Sequence, residues 1–347
     1  MRNKKVIVSA FGGIDKLKLI EEEMPALKGE EVLLKVLSAG VSFADLLMRV
    51  GLHPEVRKPP FVLGWDIVGQ VLEVGAQVTK FKPGDKVAAL PIRGGYAKYI
   101  TLHEDELVVV PHGLHEVEAV CLVMNYIVAY QMLYRLMDLK EHDAILVHSA
   151  TGGVGSALFQ IASLQNLRIY GTVSPHKMEL FRSQGGIPID YQNQDFVEFM
   201  AKHQPAGVQA VFDGIGGDHV KQSYKTLASN GQLVFYGFTS FLAHPRKRWM
   251  GFFKTVWIIK TLWNFLSLYA ANVIPNYKKF KIYSIQKLKR AHEDWFKEDL
   301  TRLFQLLKEH KIKPLVDSTI SLDQVAEAHK LLNAGGVIGK IVIDNQE

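Results

Sequence analysis

Residues 148–165 read HSATGGVGSALFQIASLQ, and this stretch decides the fold. An apolar run, Ala144 to Val147, leads into it. Gly152, Gly153 and Gly155 arrive together, and a helix-like stretch, Ser156 to Leu164, leads out. Glycines clustered at a strand-to-helix junction mark a turn that side chains would obstruct. The sequence therefore asks what must come close to that backbone.

Outward from the turn, the pattern repeats toward the C-terminus. Strands are expected at Ala144–His148, Arg168–Thr172, Ile187–Asp190, Val208–Asp213 and Gln232–Tyr236. Helices are expected between them, at Gly155–Gln165, His176–Ser183, Phe196–His203 and His219–Ala228. Strands too apolar to face water, alternating with helices, predict a parallel sheet covered on both faces. Toward the N-terminus, up to about Pro111, short runs such as Glu31-VLLKVL, Ile67-VGQVLEV and Lys86-VAAL are punctuated by Gly and Pro, as in a β-rich domain. The tail, Lys313 to Ile343, returns to short strands around one helix, Leu322 to Leu332.

A chain of 347 residues accommodates two such domains. Its one cysteine, Cys121, excludes a disulfide framework and a multi-cysteine zinc lobe, and suits a reducing compartment. Met1-Arg-Asn-Lys-Lys leads straight into a strand-like run without a secretory pattern, so a cytoplasmic protein is expected. The formal net charge of +6 is modest and concentrates between His244 and Arg290, which argues against a nucleic-acid partner.

Placed between a strand and a helix, Ser149-x-x-Gly152-x-x-Gly155 fits a dinucleotide fingerprint with serine in the first glycine position. Missing Cβ atoms let a pyrophosphate approach backbone N–H groups at a helix N-terminus. A bare match equally fits a structural turn; the βα units that follow favour the nucleotide. A carboxylate at the end of the second strand would hold the ribose hydroxyl of NAD. Ser174 stands there instead, followed by His176 and Lys177, and a hydroxyl with a cation suits the 2′-phosphate of NADPH.

Several ordered motifs then make the chain recognisable: Ala39-GVSFADLLMRVGL, Leu63-GWDIVGQVLEVG, Phe81-KPGDKVAAL, Gly94-GYAKY, Asn125-YIVAYQML, Val211-FDGIGG, Gly231-QLVFYG and Gly339-KIVI. It resembles the medium-chain dehydrogenase/reductase superfamily, in its zinc-independent quinone oxidoreductase branch and nearest the vesicle-amine-transport type. The resemblance implies a GroES-like β-rich catalytic domain from both chain ends (1–124 and 311–347) and an inserted Rossmann domain, a doubly wound parallel sheet (125–310), with the active site in the cleft. It implies pyrophosphate binding by Gly152, Gly153, Val154 and Gly155, and adenosine-phosphate binding near Ser174, Lys177 and Tyr191. Tyr236, Gly237 and Phe238 would pass the nicotinamide, and Gly339 and Lys340 would approach the cofactor. Such proteins reduce quinones, enones or related carbonyls with NADPH, as homodimers.

Zinc-dependent members of the superfamily carry a Cys ligand where Ser42 stands and a His-Glu pair at Trp65-Asp66, so no metal is expected. The branch also commonly has Asn at Ser42, Tyr at His53 and Thr at Val128, so the substrate is not carried across. Reduction without metal needs a proton for the developing oxyanion. The candidates are Ser42, His53 and Asn125; His53 ionises near neutrality, Ser42 also suits a cap, Asn125 also suits a helix start, and Asp45 reads as structural. A protein that binds NADPH only as a scaffold for a lipid or partner is the rival reading.

Residues 244–290 combine aromatic and basic side chains. Lys254 and Lys260 break the apolar run, which argues against a bilayer span. A helix bearing Trp249, Trp257 and Trp263 beside Arg246, Lys247 and Arg248 fits a pocket lid, a dimer contact or peripheral contact with an anionic membrane surface.

Overall fold

The computed structural model describes residues 1–241, 265–274 and 277–346. The tryptophans and basic residues singled out between Arg246 and Trp263 lie outside them. The chain divides into two compact units, Met1–Ile127 with Asp294–Glu347, and Val128–Glu293.

The first unit begins with β1 (Arg2–Val8), β2 (Leu17–Glu23), β3 (Glu31–Val41), helix α1 (Phe43–Arg49), β4 (Phe61–Val62), β5 (Ile67–Val74), β6 (Lys86–Ala89), β7 (Tyr99–His103) and β8 (Leu107–Val109). β3 is its spine. Along it Val32, Leu34 and Val36 are buried while the residues between them are half-exposed, the period-two pattern of a strand with one face on a core. Helix α2, Glu116–Arg135, then carries the chain into the second unit. By length and composition α2 is apolar enough to cross a membrane, but 78% of its apolar window is buried inside the protein, as in a core helix.

The second unit holds β9 (Ala144–Val147), α3 (Gly153–Ser163), β10 (Arg168–Val173), α4 (Met178–Ser183), β11 (Ile187–Asp190), α5 (Phe196–His203), β12 (Val208–Asp213), α6 (His219–Lys225), β13 (Leu227–Phe235), β14 (Lys279–Ile282) and α7 (Ile285–Ala291). Its six strands are all parallel, in the order β11-β10-β9-β12-β13-β14. That is the order of a doubly wound nucleotide-binding sheet, with the switch point beside β9. All four residues of β9 are buried, because helices cover a central parallel strand on both faces. The chain returns to the first unit through α8 (Glu293–Lys308), β15 (Val316–Ile320), α9 (Val325–Ala334) and β16 (Lys340–Asp344). There β16 lies between β15 and β3 in the larger sheet.

The mixed α/β class and the five expected strands are as the sequence predicts, with three differences. β13 starts at Leu227, which pairs with Val208, so Ala228 belongs to the strand and not to the preceding helix. α3 starts at Gly153, two residues early, because a glycine-lined turn tightens directly into the helix. A sixth strand, β14, emerges from the basic-aromatic segment; its sequence, KFKI, alternates charge with apolar residues, and only Phe280 is buried.

The three glycines are not equivalent. A Cβ on Gly155 would overlap the carbonyl oxygen of Ser149 and the Cα of Ala150, so the close packing of α3 against the turn requires its absence. On Gly152 the nearest atom would be that same oxygen at 3.3 Å, a contact that small shifts relieve. Gly155→Ala is therefore expected to destabilise by about 3 kcal/mol, or to prevent folding. Gly152→Ala, at an ordinary backbone angle, should change stability by less than about 1 kcal/mol. Urea unfolding of the two variants separates them.

Candidate functional site

The turn quoted at the outset follows β9 and is bonded to its neighbours β10 and β12, His148 N–H donating to the Phe212 carbonyl at 3.1 Å. Ser149 takes a left-handed conformation (φ 53°), which explains why glycine is usual at that position. Its N–H donates to Thr172 Oγ1 at 3.1 Å, and Ala150 N–H donates to the Thr172 carbonyl at 3.1 Å. Gly152 caps α3 without a side-chain hydrogen bond. Gly153, Val154 and Gly155 form the first turn, whose N–H groups lack intrahelical acceptors by construction. Bare backbone donors at a helix N-terminus suit a phosphate.

Beyond β10 the structure brings together the residues expected around an adenosine phosphate. Ser174 Oγ lies 3.3 Å from Tyr191 OH, and Lys177 N–H donates to the Ser174 carbonyl at 2.9 Å. Lys177 is buried, not the solvated lysine usual at a helix start, whereas Tyr191 is 54% exposed. Asp190 pairs in register with Val173 and so places a carboxylate nearby, which the sequence reading missed. Both its oxygens face the following turn: Asn193 Nδ2 donates to one at 2.7 Å, and Gln192 N–H to the other at 3.0 Å. The Asn193 bond in particular holds Asp190 below the usual carboxylate range.

Tyr236, Gly237 and Phe238 follow β13 and run alongside the turn after β12. Tyr236 N–H donates to the Asp213 carbonyl at 3.0 Å and Thr239 N–H to the Gly214 carbonyl at 3.1 Å. A Cβ on Gly237 would sit 2.9 Å from Gly214 O, and one on Gly214 would sit 2.9 Å from the Tyr236 ring. The glycines let these two segments touch. Behind them lies a polar cluster that the sequence reading did not assemble, though both strand-end motifs were visible: His148, Asp213, His219 and Ser223. Asp213 Oδ2 is 2.9 Å from His219 Nδ1 and accepts from Ser223 Oγ at 2.7 Å. Burial alone would raise Asp213, yet the His219 contact, the neighbouring imidazoles and the Ser223 hydroxyl outweigh it and hold it ionised. Burial lowers His148 to about 3, with His219 adding to the effect, so His148 is neutral.

The candidates in the first unit fare differently. Ser42 caps α1: its hydroxyl donates to Asp45 Oδ2 at 2.7 Å and accepts from Asp45 N–H at 3.4 Å. Its single proton is thus committed, and Asp45, which also accepts from Gly64 N–H at 3.1 Å, is structural. Burial raises Asp45 to about 6 against those bonds. Asn125 lies inside α2 rather than at its start; His115 caps that helix instead. His53 packs edge-on against Trp65 with ring centroids 4.9 Å apart. Its Nδ1 accepts from Glu55 N–H at 3.1 Å, so Nε2 carries the proton. Burial lowers it to about 4, which corrects the expectation of ionisation near neutrality.

Gly339 is left-handed (φ 70°), and a Cβ there would overlap Leu315 O. Its neighbour Lys340 is buried with Nζ 2.6 Å from Asp66 Oδ2. Burial pushes Asp66 up while the ammonium opposes it. Gly40 leaves the space that the Lys340 side chain fills. The positions equivalent to a catalytic zinc site therefore hold a capping hydroxyl, a buried indole without a lone pair to give, and a carboxylate paired with lysine. That donor set does not fit zinc.

Comparison with known proteins agrees with the geometry. An alcohol dehydrogenase GroES-like domain family matches residues 28–112, and a zinc-binding dehydrogenase family matches 187–343. These are the two parts of a medium-chain dehydrogenase/reductase fold. The synaptic vesicle membrane protein VAT-1 homolog of Danio rerio is 33% identical over 347 residues, covering 99% of this chain and 70% of that one. The chain belongs to the medium-chain dehydrogenase/reductase superfamily, among the VAT-1 homologs. Among solved structures, a Pseudomonas syringae quinone oxidoreductase is 25% identical with a TM-score of 0.83, covering 99% of each chain. A mycobacterial protein, Rv1454c, solved with NADPH, is 25% identical with a TM-score of 0.82, again over 99% of each.

His53 supplies a test of its environment. Its ring protons should titrate near pH 4 by NMR, and a midpoint above 6 would contradict the burial described. Because the folded value lies below the unfolded one, His53 contributes no destabilisation above about pH 6.5 and withdraws stability as pH falls from there toward 4.

Proposed function

We propose that the chain is a zinc-independent oxidoreductase that uses NADPH to transfer hydride to quinones, enones or related activated carbonyls. The observation that carries this reading is the group Ser174, Lys177 and Tyr191 around the end of β10, where a hydroxyl and a lysine follow the strand in place of the carboxylate that binds a ribose hydroxyl. The cofactor-bound mycobacterial structure and the quinone oxidoreductase support it.

In this reading the first turn of α3, from Gly152 to Gly155, binds the pyrophosphate through backbone N–H groups. Ser174 and Tyr191 hydrogen-bond the 2′-phosphate and Lys177 neutralises it. Tyr236, Gly237 and Phe238 position the nicotinamide, which supplies the hydride when bound. Lys340 is committed to Asp66, so any contribution of Gly339 and Lys340 comes from their backbone. Hydride addition to the electrophilic carbon of the acceptor leaves an oxyanion that takes one proton. Of the three candidates, His53 has a neutral Nε2–H that hydrogen-bonds the developing oxyanion without giving up its proton; the Ser42 proton is engaged by Asp45, and Asn125 is left with an orienting role. Water can deliver the proton where a quinone or enone is the acceptor. A cytoplasmic homodimer completes the reading; among the described residues β14 pairs only with β13, and its Ile282 is 49% exposed.

NADPH should quench or shift tryptophan fluorescence at far lower concentration than NADH. Lys177→Ala should weaken NADPH by about 10- to 100-fold while leaving NADH little changed. Equal affinity of the native protein for both cofactors would remove the cofactor assignment. The second reading, an NADPH-binding scaffold without turnover, is favoured by the committed Ser42 hydroxyl and by the relatives named vesicle membrane proteins. A panel of quinones and enones decides between them: NADPH oxidation supports the enzyme, and tight binding with no oxidation supports the scaffold.

A further inference from the structure

Behind the glycine turn the buried polar groups form one directed chain. Ser223 gives its only proton to Asp213 Oδ2, at 2.7 Å, so its oxygen accepts from His148 Nε2–H, at 3.1 Å. The other ring nitrogen of His148 must then be an acceptor, and it lies 3.2 Å from Thr172 Oγ1. That hydroxyl donates to it and in turn accepts from Ser149 N–H at 3.1 Å. At the far end, Asp213 Oδ1 accepts from Ile215 N–H at 2.8 Å and Gly216 N–H at 3.0 Å. His148, Asp213 and Ser223 are fully buried; His219 Nδ1, 2.9 Å from Asp213 Oδ2 and 3.3 Å from Ser223 Oγ, branches from the chain at its centre.

Its two ends are backbone N–H groups of different loops. One is the left-handed first residue of the turn 149–155, and the other is the turn 214–217 that runs against Tyr236 and Gly237. His148, Asp213 and His219 also place one ligand atom each within 4.8 Å, spacing that would suit a divalent ion. The hydrogen bonds described already engage one such atom of each, which favours the chain over an ion.

We infer that Thr172, His148, Ser223 and Asp213 are positioning residues that lock the pyrophosphate turn to the nicotinamide-side turn, so that neither takes its cofactor-binding shape without the other. The functional consequence rests on the cofactor reading above; the locking does not.

Thr172→Val removes the hydroxyl while keeping a β-branched shape suited to an inner strand, and Thr172→Ser keeps the hydroxyl. In the cofactor-free protein, amide hydrogen exchange of Thr172→Val should quicken about tenfold at 149–155 and also at 215–216, which residue 172 does not touch. Thr172→Ser should exchange like the native protein. In turnover, Thr172→Val should raise KM for NADPH about tenfold with kcat within about a factor of two, and Thr172→Ser should restore it. Ser223→Ala, which cuts the chain at its centre, should quicken exchange in both turns and serves if Thr172→Val fails to fold. Quickening confined to one turn, or Thr172→Ser behaving as Thr172→Val, overturns the inference. Failure of the native protein to bind NADPH overturns the proposed function, while the exchange data still decide the locking.

Discussion

The contact between α3 and the carbonyl of Ser149 leaves no volume for a side chain at Gly155, and much of the second unit depends on that approach. It sets the turn against the end of β9 and fixes the direction of α3. Ser149 beside it holds a left-handed conformation that Thr172 on β10 supports. Gly152 is under no such pressure. Of the glycines that mark the motif, one is demanded by the fold and another is left for what approaches from outside. A substitution pattern at these positions thus reports two different constraints.

The two units solve the problem of buried polarity in opposite ways. Behind the glycine turn, a carboxylate, two imidazoles and two hydroxyls satisfy one another through side-chain hydrogen bonds. In the first unit a full ion pair, Asp66 with Lys340, is buried. Removing either partner of such a pair leaves an uncompensated charge, which costs far more than the pair itself contributes. Asp45, close by, is kept in place by backbone and hydroxyl donors instead, and burial raises it to about 6.

Most of the second unit was legible in the sequence because its strands are continuous apolar runs bounded by glycine and polar turns: Ile187–Asp190 and Val208–Asp213 are found where periodicity puts them. β14 was not, since its lysines mask the alternation and an edge strand needs only one buried residue. At the site, the spacing of Ser174, Lys177 and Tyr191 along the chain gives no hint that the hydroxyls meet; the parallel pairing of β10 with β11 does that. The titration of His53 was misjudged because its shift comes from burial, which brings it against Trp65 through a loop of irregular shape. The relay from Ser149 to Gly216 joins residues on two strands, a turn and a helix, and no local pattern encodes it.

The seating of Lys340 on the penultimate position of the larger sheet bears on how the chain is made. β16 lies between β15 and β3, and it carries the ammonium that neutralises Asp66. During synthesis the first 127 residues must wait, with an open sheet and an unmatched charge, until residues 340–344 leave the ribosome. The inserted unit, by contrast, has its whole sheet once residue 282 has emerged. The inserted unit can therefore complete its sheet while the sheet that hosts it still lacks a strand.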